Sequence, residues 1–147
     1  MIGIVVESIV NNPQNYIMFR ELNKLAETEE CFLFTNDIIS MPMHNKFTIL
    51  QTIEAMSHQG TLVSTSLLTS QVVKNSLTAK KKLYYMTDID WLRINNFSFD
   101  QMIGIFHDKE IEIVTRSKSH ENIVSKMFKP PVGTVFNWRA DEILKVI

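Results

Sequence analysis

Met1-Ile-Gly-Ile-Val-Val-Glu7, then Asn11-Asn-Pro13, then Tyr16–Glu27 is the stretch that decides the fold. Ile2–Glu7 is a nearly continuous apolar run of strand length, the pattern of a strand covered on both faces. Tyr16–Glu27 carries Met18, Leu22 and Leu25 at helical spacing, and Pro13 sits where a helix begins. Cys31-Phe-Leu-Phe34 is a second apolar run, stopped by Thr35-Asn-Asp37. Strand, helix and strand in this order make a βαβ unit, and so a parallel pair.

The rhythm continues outward from that unit. Phe47–His58 places Ile49, Ile53 and Met56 on one helical face, and Gly60 ends it. Thr61–Ser64 reads as a third strand, Leu67–Leu77 as a helix and Lys82–Met86 as a fourth strand. Ser98-x-x-Gln101 is a capping box that opens Phe99–His107, with Phe99, Met102, Ile103 and Phe106 inward. Ile111–Thr115 is a fifth strand, and His120–Phe128 is a helix that Pro130-Pro131 terminates. Gly133–Asn137 is a sixth strand and Ala140–Ile147 a last helix. The expected fold is a single α/β domain over 1–147. It is a three-layer α/β/α sandwich of about six mostly parallel strands with right-handed crossovers. Its expected core holds Ile4, Val6, Leu22, Leu33, Ile53, Leu62, Ile103, Phe106, Ile113, Val114, Ile123 and Phe136.

Composition narrows the function. The 147 residues carry a net charge of −1, with 45% hydrophobic and 21% charged residues. That is ordinary for a globular domain and gives no global attraction to nucleic acid or acidic membrane. No apolar run approaches the ~20 residues that span a bilayer. The first residues lack a basic n-region and a small-residue cleavage site, so they read as a strand and not a signal peptide. The single cysteine, Cys31, excludes an intrachain disulfide and a multi-cysteine zinc site. It reads as a small buried hydrophobe, and a reducing, cytoplasmic location is expected. Four glycines, none of them in Glu7-Ser-Ile-Val-Asn-Asn12, leave no dinucleotide fingerprint and no Walker A loop. C-x-x-C, H-E-x-x-H and G-x-S-x-G are absent too.

Ligands of parallel sheets bind beyond the carboxyl ends of the strands. The candidate ligand-binding residues there are Glu7, Ser64, Ser66, Asp88, Arg116, Trp138 and Arg139. Asp88-Ile-Asp90 would point two carboxylates the same way if extended, as Mg²⁺ or Mn²⁺ with a diphosphate requires, and Glu7 could add a third oxygen. A turn cap with a solvated neighbour is the plainer reading of the same pair. Ser64-Thr-Ser66 can offer hydroxyls and helix amides to a phosphate, or simply cap Leu67–Leu77. Arg116 can clamp an anion bidentately or pair with a rim carboxylate such as Asp88. Trp138 can stack on a sugar or pack the last helix on the sheet, and Arg139 adds a charge. The histidines are scattered and read as structural or solvated, with His58 and His107 near helix ends where a cation is favoured. Lys80-Lys-Lys82 reads as a solvated turn, and without interleaved aromatics nucleic-acid binding is not expected.

Lys82-Leu-Tyr-Tyr-Met-Thr-Asp88, Ile111-Glu-Ile-Val-Thr-Arg-Ser117, Phe128-Lys-Pro-Pro-Val-Gly133 and Thr134-Val-Phe-Asn-Trp138, taken in order, resemble the N-terminal Rossmann-like half of the two-domain (GT-B) glycosyltransferases. The resemblance implies a Rossmann-like fold and a sugar acceptor site at the strand ends. In that family the nucleotide-sugar is held by the second half, and the chain ends at Ile147, where that half would begin. The expectation is therefore a glycosyltransferase-like domain that binds a sugar, nucleotide-sugar or other polar ligand and does not catalyse transfer alone. Two other readings stay open. One is a non-catalytic protein-interaction or assembly module, viral or cellular, working with a partner protein or as a homo-oligomer. The other is a divalent-metal-dependent phosphoryl or nucleotidyl enzyme using Glu7, Asp88 and Asp90.

Overall fold

A computed structural model describes residues 1–89 and 98–147. Seven parallel strands form one sheet: β1 (Ile2–Val5), β2 (Cys31–Phe34), β3 (Thr48–Leu50), β4 (Thr61–Ser64), β5 (Lys81–Met86), β6 (Ile111–Thr115) and β7 (Gly133–Thr134). Their spatial order is β3-β2-β1-β4-β5-β6-β7. The helices are α1 (Pro13–Leu25), α2 (Leu67–Asn75), α3 (Phe99–Phe106), α4 (Lys118–Met127) and α5 (Ala140–Ile143), with 3₁₀ turns at Thr52–Ser57 and Phe136–Trp138. The architecture is the expected α/β Rossmann-like sandwich, with one strand more than the sequence suggested.

Strand order explains the layers. From β1 the chain steps outward to β2 and β3, then returns and steps the other way through β4, β5, β6 and β7. Right-handed crossovers that reverse direction must switch faces. Accordingly α1 and α5 cover one face, where Ile2, Ile4, Leu33, Val63, Leu83, Tyr85 and Val114 meet Met18, Leu22, Trp138 and Ile143. On the other face Tyr84, Met86, Ile111 and Ile113 pack against Leu67, Met102, Phe106 and Val124. Val5, Phe34 and Leu62 complete that second face against Ala55 and Val73. The inner strands β1, β2, β4, β5 and β6 thus bury both faces, which is why their sequences run largely apolar without alternation, while the edge strands β3 and β7 are only partly covered.

Local signals place the helices well. Asn12 caps α1, its Oδ1 accepting the Asn15 amide at 2.8 Å, with Pro13 in the first turn. Ser66, Ser98 and Ser117 cap α2, α3 and α4. Glu21 lies on the buried side of α1 and ties it to α5. It takes Lys24 and Arg20 nitrogens at 2.9 Å and the Ala140 amide at 3.4 Å. Burial pushes its carboxyl up, but the Lys24 and Arg20 hydrogen bonds outweigh this and hold it below its ordinary value.

Several expectations are corrected. Phe47–His58 is not a helix: Thr48–Leu50 is an edge strand on β2, and only Thr52–Ser57 turns, as 3₁₀. Ile53 is consequently 68% exposed and outside the core. Gly133–Asn137 pairs only through Gly133–Thr134 before the chain turns, which leaves Phe136 56% exposed. Phe99, in the first turn of α3, points to solvent, and Ile105 takes the inward position. Ile103 and Ile123 are only partly buried. Lys81 and Lys82 open β5 instead of a solvated turn. Lys82 is buried, its Nζ donating to the Lys74 carbonyl at 3.0 Å and to Glu110 at 2.7 Å. His58 is buried edge-on between Phe32 and Phe34, and burial lowers its basicity, so it is no helix-end cation. Cys31 is the buried hydrophobe expected, its thiol pushed up to about 11 by burial. Among the described residues no helix is long and apolar enough to cross a membrane.

Candidate functional site

At the carboxyl ends of β1 and β4 the crossovers leave in opposite directions, towards α1 and towards α2. A crevice must open where neighbouring connections part, and this is where ligands bind in doubly wound sheets. A cleft of about 200 Å³ occupies that place. It is lined by Val6, Glu7, Ser8 and Val10 after β1, by Asn12, Gln14, Asn15, Ile17 and Met18 of the α1 entry, and by Thr65, Thr87, Arg116, Asn137 and Trp138.

The contributors past β4, β5 and β6 obey one register. Successive residues of a strand point to opposite faces. Ile4, Val63, Tyr85 and Val114 face α1 and α5. Two residues further along each chain come Val6, Thr65, Thr87 and Arg116, all in the cleft. The cleft is thus the α1-facing side of the carboxyl edge; parity places Val6, Thr65, Thr87 and Arg116 in it, while Glu7 and Ser8 line it from the β1–α1 connection, outside that alternation.

That parity sorts the sequence candidates. Glu7, Arg116 and Trp138 are brought together in the cleft. Ser64 falls on the opposite face, where its hydroxyl is buried, donating to the Leu83 carbonyl at 3.1 Å and sharing a 2.8 Å bond with Ser70. Ser66 accepts the Thr69 amide at 3.2 Å as the α2 cap and does not line the cleft. Thr65, between them, is the residue of the triplet that does; its hydroxyl donates to the Val5 carbonyl at 3.0 Å and ties β4 to β1. Arg139 turns away and pairs with Asp141 at 3.0 Å and Glu142 at 3.5 Å. Asp88 is one residue past Thr87, out of register with the cleft, and its Oδ1 accepts the Ile89 amide at 2.8 Å. Asp90 lies outside the described residues. Among the described residues no three His, Cys, Asp or Glu side chains gather as a metal site.

Glu7 and Arg116 are the charged groups of the cleft among the described residues, one acceptor of hydroxyl protons and one forked donor. Amides and hydroxyls of Asn12, Asn15, Thr65, Thr87 and Asn137 line it as well, and Val6, Val10, Ile17, Met18 and Trp138 give apolar walls. Arg116 does not pair with Asp88 as the sequence allowed: its Nε donates to Asn137 Oδ1 at 3.0 Å. Trp138 is buried against Tyr85, ring centres 4.2 Å apart, so it packs the chain on the sheet as well as lining the cleft. The Tyr85 hydroxyl donates to the Val135 carbonyl at 2.8 Å and accepts the Trp138 amide at 3.4 Å. Burial pushes that phenol up to about 12. No histidine, cysteine or lysine lines the cleft among the described residues; Glu7 is the carboxylate that shares it with Ser8.

Asn12 and Asn15 were not among the sequence candidates; Thr65 entered only inside the Ser64-Thr-Ser66 triplet, and Thr87 and Asn137 only as polar strand-end positions that were not singled out. Counting by twos from the apolar positions of each strand would have found the two threonines.

No protein-family model matches the chain, and comparison with curated proteins and with solved structures likewise gives no match.

Proposed function

We propose that this chain is a ligand-binding α/β domain, glycosyltransferase-like in kind, that takes a sugar-sized polar ligand in the cleft between β1 and β4. The observation that carries the reading is the convergence of Glu7, Arg116 and Trp138 at the switch point of the sheet. Its volume of about 200 Å³ lies below the roughly 300–1,000 Å³ of sites for drug-sized ligands. It suits one sugar ring with a substituent better than a whole nucleotide-sugar. Transfer needs donor and acceptor held together and charge placed on the leaving group. Among the described residues the cleft has one cation and is open, which supplies neither in full, so the chain alone binds and does not turn over.

Calorimetry and thermal shift with glucose, glucose 1-phosphate and UDP-glucose test this. Binding by the wild type that Arg116→Ala weakens is the expected result, with no glucose released from or transferred by UDP-glucose. Absence of binding by all three at millimolar concentration sinks the reading. Turnover by the homogeneous chain would promote it to an enzyme.

A protein-interaction role is favoured by one separate feature. Ile38, Ile39 and Met41 are exposed at 53%, 65% and 39% on the segment that Ile9 pairs with beside the cleft. Light scattering of wild type against an Ile38→Ser, Ile39→Ser double variant decides whether this lip holds a second copy.

A further inference from the structure

Asn137 and Trp138 both adopt left-handed backbone conformations, with φ of 49° and 62°. They are the positive-φ residues among the described ones, and no glycine there has positive φ. Asparagine tolerates that region; a bulky residue such as tryptophan adopts it only when its surroundings force it. Here the surroundings do so from several sides. Tyr85 accepts the Trp138 amide and packs on its ring. The Glu142 carboxylate accepts the Phe136 amide at 2.7 Å, and the Arg139 amide closes on the Phe136 carbonyl at 3.1 Å. The product of this forced turn is the placement of one side chain, Asn137, whose Oδ1 takes Arg116 Nε at 3.0 Å beside the cleft.

Resting on the cleft being a ligand site, we infer that Asn137 is the positioning residue that aims the Arg116 guanidinium, and that the ligand is an anionic sugar, carrying a phosphate or carboxylate. Guanidinium has five N–H donors in a rigid plane. The Nε bond to Asn137 occupies one of them and fixes the plane. Among the described residues Arg116 has no carboxylate partner, so the four N–H groups of its terminal nitrogens remain to grip an anion by two parallel bonds. Glu7, in the same cleft, is left to accept from sugar hydroxyls. A neutral sugar would leave the aimed fork unused.

The test uses Asn137→Gly and Asn137→Asp in the full chain. Glycine enters the left-handed region without steric cost but has no acceptor; aspartate keeps the acceptor. The first readout needs no ligand: the Arg116 Nε–H resonance in nitrogen-edited NMR. It is expected to be protected from exchange in the wild type and in Asn137→Asp, and lost in Asn137→Gly while melting is not lowered. The second is calorimetry with glucose 1-phosphate, glucuronate and glucose. Removing the bond that holds a charged group should weaken glucose 1-phosphate or glucuronate about tenfold in Asn137→Gly, with a smaller loss for glucose. The anion that binds the wild type more tightly names the source as phosphate or carboxylate. A protected resonance, or wild-type anion affinity, in Asn137→Gly overturns the inference. So does a wild type that prefers neutral glucose to both anions. If the wild type binds none of the three sugars, the binding reading falls and the ligand class falls with it. The resonance alone then decides the positioning role.

Discussion

Tyr85→Phe should destabilise the domain by about 2 kcal/mol, because the hydroxyl is buried and bonded twice while the ring is retained. The Val135 carbonyl loses its 2.8 Å donor and the Trp138 amide its 3.4 Å acceptor. A buried polar group left without a partner costs about 1–3 kcal/mol; the long second bond adds little, so a value near the middle is expected. For a domain of this size, about 2 kcal/mol lowers Tm by roughly 4–8 °C. The ring contact with Trp138 persists, so a larger loss would point to a collapse of the turn itself. Burial raises the phenol to about 12, well above an ordinary tyrosine. The native state therefore holds the proton more tightly than the unfolded state. Its contribution is complete below the unfolded value of about 10 and is lost as pH rises towards 12. Urea unfolding at neutral pH gives the first quantity, and the same measurement between pH ~9 and ~12 gives the second. Wild type should lose stability over that alkaline range faster than Tyr85→Phe. Tyr16→Phe, at an exposed hydroxyl, is the control and should change neither. A loss below about 0.5 kcal/mol, or identical alkaline slopes, would refute the account of how the Asn137–Trp138 turn is held.

Three further outcomes test the frame around the cleft. Ile113→Ala, at a fully buried position of β6, should cost about 2–5 kcal/mol in urea unfolding, and a loss under about 1 kcal/mol would contradict that placement. Glu21→Gln should cost about 1–2 kcal/mol at neutral pH, where the carboxylate holds Lys24 and Arg20. Because the folded carboxyl sits below its ordinary value, that advantage is present above about pH 4.3 and disappears as acid protonates it. The two proteins should therefore draw together in stability as the pH falls below the ordinary glutamate range, and a constant gap would be evidence against the Glu21 ion pairs. Gly60→Ala should lower Tm measurably, since a Cβ there meets the Met1 carbonyl, which is backbone and cannot swing aside. An unchanged Tm would show that the first residues yield.

The βαβ rhythm and the sites of most caps lie in the sequence because they are local. Apolar runs at Ile2–Val5, Cys31–Phe34 and Ile111–Thr115 have no helical alternative at their length, and Asn12, Ser66, Ser98 and Ser117 cap the amides of the next turn. Glu7, Arg116 and Trp138 were legible as strand-end residues for the same reason. Features that arise from strand pairing were not legible. Ile49, Ile53 and Met56 fit a helical face, yet Thr48–Leu50 pairs with β2 and ends the helix before it starts. A free edge beside β2 is a property of the sheet, invisible in the window of sequence that it overrides. The left-handed turn at Asn137–Trp138 is imposed by Tyr85, some fifty residues earlier. The cleft belongs to neither β1 nor β4 alone. It exists because strands sixty residues apart become neighbours while their connections part to opposite faces. Parity then puts Thr65 in the cleft and Ser64 in the core. Chemistry-bearing residue types can be read along the chain; which of them share a site is decided by strand order and face, and those are set only when distant segments pair.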